Sequence, residues 1–220
     1  MSIGKYKVND NMNDNFVINL GRQLGSGGRQ IGKRLASRLD IAYYDDELIR
    51  LASEDSGLCR EFFERADEKA GKGVFGGLFG SRFPFISSGA VSYDSYLSND
   101  SLFKIQSDVI RRLAESQSCL FVGRCADYIL RDHPRCCNVF ISASIEARVK
   151  RVMEYEGIAE KEALAMIEKG DKRRSSYYNY YSFKQWGAAG TYHLCVDSSA
   201  LGIDGTVEYV ESFIRRMLGL

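Results

Sequence analysis

The chain has almost no net charge, few histidines and no long apolar run. Its 30 Lys and Arg residues balance 29 Asp and Glu residues, which gives a net charge of +1. A general nucleic-acid binder needs a clear basic excess, so this balance argues against that class. No segment approaches the roughly 18 apolar residues of a membrane span, and the N-terminus lacks a signal core. We therefore predict a cytoplasmic protein that binds neither membranes nor nucleic acid.

Histidine and paired cysteine are scarce as well. The chain has two histidines, and its six cysteines include no Cys-x-x-Cys pair. A histidine-based zinc site is therefore disfavoured, and no metal ligands are assigned. Because several cysteines lie in apolar, strand-like runs, we predict buried free thiols.

The length and composition suit one α/β domain, since 45% of the 220 residues are hydrophobic. We predict a single domain over 16–220, after a disordered Asn- and Asp-rich tail at 1–15. Residues 71–99 are rich in Gly, Phe, Ser and Tyr. This composition predicts a flap or substrate-covering insertion, and the alternative is a contact in a homodimer.

A glycine-rich loop at 21–32 is the strongest signal. It lies between a strand-like run at 16–20 and a run of helical periodicity, and strand, glycine loop and helix form a common phosphate site. Free N–H groups at the helix start and glycines with positive φ favour an anion there. The alternative is a turn that only lets the helix pack closely on the sheet. The predicted phosphate ligands are Gly25, Ser26, Gly27, Gly28, Arg29 and Gln30.

The loop departs from the P-loop pattern G-x-x-x-x-G-K-[ST]. Aligned on Gly25 to Gly27, the lysine position is Gly28. Aligned on the cation, Arg29 replaces the lysine. Both alignments lack the side chain that holds magnesium in the usual loop.

Charged residues follow two of the other strand-like runs. Asp45 follows 41–44 and Arg124 follows 119–123, and open α/β sheets bind ligands at the carboxyl ends of strands. The alternatives are a helix cap at Asp45 to Glu47, and an ion pair of Arg124 with a nearby aspartate. Further strands are predicted at 137–141 and 193–197, and helices at 58–70, 102–116, 160–169 and 206–218.

Two basic clusters lie in the C-terminal half. Arg148 and Arg151 are three residues apart on a predicted helix that Ser144 caps, where a solvated face is the default. Arg173 and Arg174 precede the tyrosines of 177–181, a composition that suits a nucleotide and, less well at this net charge, RNA.

Taken together, the chain resembles the cytidylate kinase-like family. The segments that carry the resemblance are GRQLGSGGRQIGKRLA, YYDDELI, FVGRCADYIL, SIEARVKRV, DKRRSSYYNYY and VDSSALGID. The resemblance implies a P-loop kinase-like three-layer α/β sandwich, with a central parallel sheet, helices on both faces and an arginine-rich lid at 170–186. It also implies ATP with Mg²⁺ and small-molecule nucleotide substrates, and phosphoryl transfer to an acceptor such as CMP.

The same resemblance assigns roles to residues. The implied catalytic cations are Arg29, Arg148, Arg151, Arg173 and Arg174. Asp197 and Ser199 join the loop residues as ATP ligands, and the implied acceptor ligands are Asp45, Arg50, Arg124 and Asp171. Val122 and Cys125 stand where cytidylate kinases have aspartates. A kinase for a non-nucleotide molecule therefore stays open as an alternative. A catalytically silent nucleotide-binding module is the other alternative, because the loop lacks the usual lysine and hydroxyl.

Overall fold

The computed structural model describes residues 15–45 and 99–220. The predicted tail up to residue 14, the helix at 58–70, most of the 71–99 segment and Arg50 lie outside these ranges. Five parallel strands form one sheet in the order β2-β3-β1-β4-β5. They are β1 Val17–Arg22, β2 Ala42–Tyr44, β3 Cys119–Val122, β4 Cys136–Ser142 and β5 Leu194–Asp197.

Helices cover both faces of this sheet. They are α1 Gly28–Arg38, α2 Asn99–Ser116, α3 Ala126–Ile129, α4 Ile145–Glu156, α5 Glu160–Ser182 and α6 Ser198–Leu218. Ile18 and Leu20 pack with α1 and α6 on one face, and Val17 and Phe121 pack with α2 and α3 on the other. Strands that are buried on both faces have sequences that are continuous apolar runs. The predicted three-layer α/β fold is confirmed.

The strand register brings the predicted ligand residues to one edge of the sheet. Leu20 pairs with Val122, and Tyr44 pairs with Phe121. Since all the strands run the same way, the residues that follow β1, β2 and β3 meet at the carboxyl edge. This is the edge at which open α/β sheets bind ligands.

Two helices are longer than their sequence periodicity indicates. The helix predicted at 160–169 continues to Ser182, because its second half packs on other elements. The Tyr181 ring stacks on Phe103 with centroids 4.0 Å apart, and the Tyr178 hydroxyl donates to Asp127 at 2.6 Å. The last helix begins at Ser198 instead of 206 and has a break at Gly202, where φ is 67° and ψ is 179°.

The prediction of buried free thiols holds for three of the five described cysteines, whereas Cys136 is partly buried and Cys195 is exposed. All five in the described part of the chain are free thiols, and Cys119, Cys125 and Cys137 are buried. Burial raises the pKa of the Cys119 and Cys137 thiols to about 12. In the same residues, no helix is both long and apolar enough to cross a bilayer.

Candidate active site

The glycine-rich loop curls before α1 with two residues in the left-handed region. Gly25 has φ 76° and Gly27 has φ 77°, and Gly27 is the N-cap of the helix. A Cβ on Gly25 would lie 2.7 Å from the carbonyl oxygen of Arg148. The loop therefore needs glycine both for its backbone conformation and for its close packing.

Side chains from distant parts of the chain hold the outer side of this loop. Three consecutive loop carbonyls accept hydrogen bonds from α4 and α6. They are Leu24 O from Arg148 Nε at 2.7 Å, Gly25 O from Arg151 Nη1 at 3.2 Å, and Ser26 O from Ser198 Oγ at 2.6 Å. In a trans peptide the carbonyl and the next N–H point in opposite directions, so the amides of Gly25 and Gly27 face away from these donors.

Asp171 joins α5 to the same loop. Its Oδ1 accepts a hydrogen bond from the backbone N–H of Leu24 at 2.8 Å, and its Oδ2 pairs with Arg148. The Arg148 side chain is buried, although a solvated face is the default for a helical Arg pair. The structure thus brings two predicted site residues together as a brace for the loop.

Asp45 lies beside the loop, at the end of β2, between two arginines. Its carboxylate is 3.2 Å from Arg22 Nη2 and 3.0 Å from Arg29 Nε, and its side chain is 7% exposed. The Tyr43 hydroxyl donates to Asp45 at 3.4 Å. Burial and then the charge of Asp45 raise the pKa of Tyr43, so this hydroxyl stays a donor.

Arg22 was not predicted from the sequence. It is the last residue of β1, and only its place at the first glycine of a P-loop pattern aligned on Gly27 could have indicated it. Asp45, which the sequence predicted as an acceptor ligand, lies beside the loop.

Arg174 adds a further cation to this edge. Its Nη1 is buried, lies 3.8 Å from Asp171 Oδ1, and makes no hydrogen bond within 15–45 and 99–220. Burial, followed by the charge of Arg22, lowers the pKa of Arg174 to about 9. Arg22, Arg29, Arg148 and Arg174 are thus four guanidinium groups paired with the two carboxylates Asp45 and Asp171. The local excess of positive charge favours an anionic ligand.

Three consecutive residues after β3 adopt the left-handed conformation. Gly123 has φ 78°, Arg124 has φ 57° and Cys125 has φ 56°. Non-glycine residues in this region cost about 1–3 kcal/mol each and cluster at functional sites. Arg124 is half-buried at the ligand edge, whereas Val122 and Cys125 are buried.

Other predicted residues in the described ranges lie at the start of α6 and on α1 and α5. Asp197 caps α6 by accepting from the Ser199 N–H at 2.8 Å, and Ser199 Oγ accepts from the Ser144 N–H at 3.1 Å. The hydrogen bonds from Ser199 lower the pKa of Asp197. Gln30 is exposed on α1, and Arg173 is half-buried on α5.

In the described residues, the usual magnesium ligands are not found beside the loop. Arg29, Gln30 and Ile31 follow Gly28, and none carries the hydroxyl that the usual loop supplies. Asp45 is already paired with two arginines. No group of three His, Cys, Asp or Glu side chains comes together in the described ranges.

The fold is similar to that of solved structures. A structure of an uncharacterized protein from Eubacterium ventriosum is 29% identical, with a TM-score of 0.66, and the alignment covers 91% of this chain and 98% of that one. Shikimate kinase from Bacteroides thetaiotaomicron is 13% identical with a TM-score of 0.53, over 93% and 99% of the two chains. Shikimate kinase from Acinetobacter baumannii, solved with shikimate, is 12% identical with a TM-score of 0.50, over 92% and 94%.

None of the curated proteins matches the chain significantly. The family model described as cytidylate kinase-like matches residues 17–200, which is most of the chain and includes the loop, Asp45, Arg124, α4 and α5. Family and fold together support a phosphotransfer of the kinase type. The chain belongs to the cytidylate kinase-like family.

Proposed function

We propose that the protein transfers the γ-phosphoryl group of ATP to a nucleoside monophosphate such as CMP. One observation carries the proposal: a glycine loop braced from outside at three carbonyls, beside four arginines that face two carboxylates. A loop of this kind binds phosphates through amides and through the helix dipole. The arginine excess suits a ligand with several negative charges.

The reaction is an in-line displacement without a covalent enzyme intermediate. A phosphate oxygen of the acceptor forms a bond to the γ-phosphorus while the bond to the bridging oxygen of ADP breaks. The products are ADP and, from CMP, CDP. The protein contributes positioning and fixed positive charge, which are the main sources of catalysis in phosphoryl transfer. Arg29, Arg173 and Arg174 are the proposed cations, whereas Arg148 and Arg151 hold the outer side of the loop. The 170–186 segment is the proposed lid.

The acceptor is proposed to bind at the carboxyl ends of β2 and β3. Asp45 and Arg124 lie there, and Arg50 is added from the family resemblance. Val122 and Cys125 are 1% and 2% exposed, so they are not available to a base in the way that aspartates at these positions would be. Their burial supports the proposal that the protein also accepts acceptors other than cytidine nucleotides.

Transfer from labelled ATP tests the proposal. Wild-type protein with MgCl₂ is given CMP, dCMP, UMP and a set of phosphate-free sugars and acids, and products are separated by chromatography. We expect transfer to a nucleoside monophosphate. Arg29→Ala is expected to abolish it with a smaller loss of stability, while Arg38→Ala, which removes a surface ion pair with Glu211, leaves it unchanged. Transfer to phosphate-free acceptors alone would make the protein a kinase of another class.

A silent nucleotide-binding module is the second candidate. The absence of a hydroxyl after Gly28 favours it, because that hydroxyl holds magnesium in the usual loop. In this case ATP binds equally well with and without MgCl₂, and no acceptor is phosphorylated. Calorimetric titration of ATP in MgCl₂ and in EDTA separates the two candidates.

A further inference from the structure

Arg22 and Gly28 occupy facing positions at the two ends of the glycine loop. A Cβ built on Gly28 would lie 2.6 Å from Arg22 Cβ and 3.0 Å from Arg22 Cγ. Because Arg22 Cβ is fixed by the β1 backbone, it does not move aside as the tip of a side chain does. The aliphatic part of the Arg22 side chain therefore occupies the space that a side chain at position 28 would need.

The structure also decides between the two alignments of the loop. Gly27 is the N-cap and α1 begins at Gly28, so Gly28 takes the place of the lysine that starts the helix in a P-loop. In G-x-x-x-x-G-K the first glycine is five residues before the second, and that place is Arg22. The cation and the first glycine of the pattern have thus exchanged positions.

We propose that Arg22 supplies the positive charge that the P-loop lysine supplies elsewhere, and that it binds the terminal phosphates of a nucleoside triphosphate. This inference rests on the proposed function. In the usual P-loop the cationic phosphate ligand lies in the first turn of the helix, whereas here it would lie at the end of β1.

The surroundings of the guanidinium agree with this role. A Cβ on Gly123 would lie 2.1 Å from Arg22 Nη1, so the guanidinium lies directly against the backbone at the end of β3. Asp45 holds its other side at 3.2 Å. Arg22 is 18% exposed and Arg29 is 43% exposed, although both pair with Asp45. Arg22 is the more fixed of the two cations, as a preorganised phosphate ligand should be.

A charge exchange tests the proposal directly. The variants are Arg22→Gly, Gly28→Lys and the double variant Arg22→Gly/Gly28→Lys, which restores the G-x-x-x-x-G-K pattern. Arg38→Ala is the control for loss of an arginine outside the site. The readouts are the Kd of ATP by calorimetry, transfer to the best acceptor, and thermal unfolding without ligand.

We expect Arg22→Gly to weaken ATP binding about 10- to 100-fold, because one charge-assisted contact to phosphate is lost. Gly28→Lys alone also weakens binding, since its side chain meets the Arg22 stem. The double variant recovers ATP affinity to within about fivefold of wild type, because the lysine enters the space that Arg22 leaves. Arg22→Gln, which keeps most of the stem, replaces Arg22→Gly if that variant does not fold.

Two outcomes overturn the inference. One is wild-type ATP affinity in folded Arg22→Gly or Arg22→Gln. The other is a double variant that folds yet binds no better than the weaker single variant. Both differ from failure of the proposed function, in which the wild-type protein itself does not bind or use ATP.

Discussion

The Ser198 hydroxyl donates a 2.6 Å hydrogen bond to the Ser26 carbonyl, although the two residues are 172 positions apart. Both side chains are fully buried, and Arg151 Nη1 donates to the same Ser198 hydroxyl at 3.1 Å. The first residue of α6 is thereby fixed to the centre of the glycine loop. The loop's shape depends on the last helix of the chain.

Ser198→Ala should destabilise the protein and weaken ATP binding. The buried Ser26 carbonyl loses its donor, and we expect a loss of about 1–2 kcal/mol in the free energy of unfolding. Ser116→Ala is the matched control, because the Ser116 hydroxyl also donates to a carbonyl but is exposed. That variant should stay within about 0.5 kcal/mol of wild type in urea unfolding. Equal losses in both variants would contradict the role of Ser198.

Arg148→Lys should separate the hydrogen bond of Arg148 to the loop from its positive charge. The variant keeps the positive charge near Asp171 but removes the Nε donor to Leu24 O. Because the site is buried, we expect a loss of about 2–3 kcal/mol in urea unfolding. Arg111→Lys, at an exposed pair with Asp108, is the control and should change stability by less than about 0.5 kcal/mol. Unchanged stability with lost turnover would instead assign Arg148 a direct catalytic role.

Gly27→Ala should cost more than its backbone conformation alone. The backbone of Gly27 has φ 77°, and a Cβ at this position would lie 2.3 Å from Ile203 Cδ1. Gly157→Ala isolates the conformational part, since φ is 68° and nothing lies within 4 Å. We expect about 1–2 kcal/mol for Gly157→Ala and a larger loss for Gly27→Ala in urea unfolding. Adding Ile203→Ala to Gly27→Ala tests the contact, because relief of the clash should return part of the difference.

Asp127 should make the stability of the protein depend on pH. Burial raises the pKa of this carboxyl above its ordinary value of 3.8, although the Tyr178 hydroxyl opposes the shift. The folded state therefore holds the proton more tightly than the unfolded chain. The stabilising contribution is complete below pH 3.8 and is lost as the pH rises through the raised, folded-state pKa.

The matched variant for this prediction is Asp127→Asn, which resembles the protonated acid at every pH. Unfolding in urea from pH 4 to pH 8 should show wild type losing stability relative to the variant as the pH rises. Asp132→Asn is the control, because Asp132 is 88% exposed, and it should show no such trend. A constant difference between wild type and Asp127→Asn across this range would refute the assignment.

The sequence by itself determined the class of fold and the location of the glycine loop. Apolar runs buried on both faces specify parallel strands, and the loop's glycines specify a turn with positive φ wherever the chain is placed. The same local patterns placed Asp45 and Arg124 at the carboxyl edge, because each follows a strand. These are short-range properties that the order of residues contains.

Only the tertiary structure decided which side chains meet at the loop. The extension of α5 to Ser182 depends on packing of its tyrosines against α2 and α3, which helical periodicity does not record. The braces from Arg148, Arg151 and Ser198 join segments more than 100 residues apart along the chain. Arg22 was missed because a residue at the end of an apolar strand carries no local sign of a site. Its proposed role depends on Gly28, Asp45 and Gly123, which the fold brings around one guanidinium.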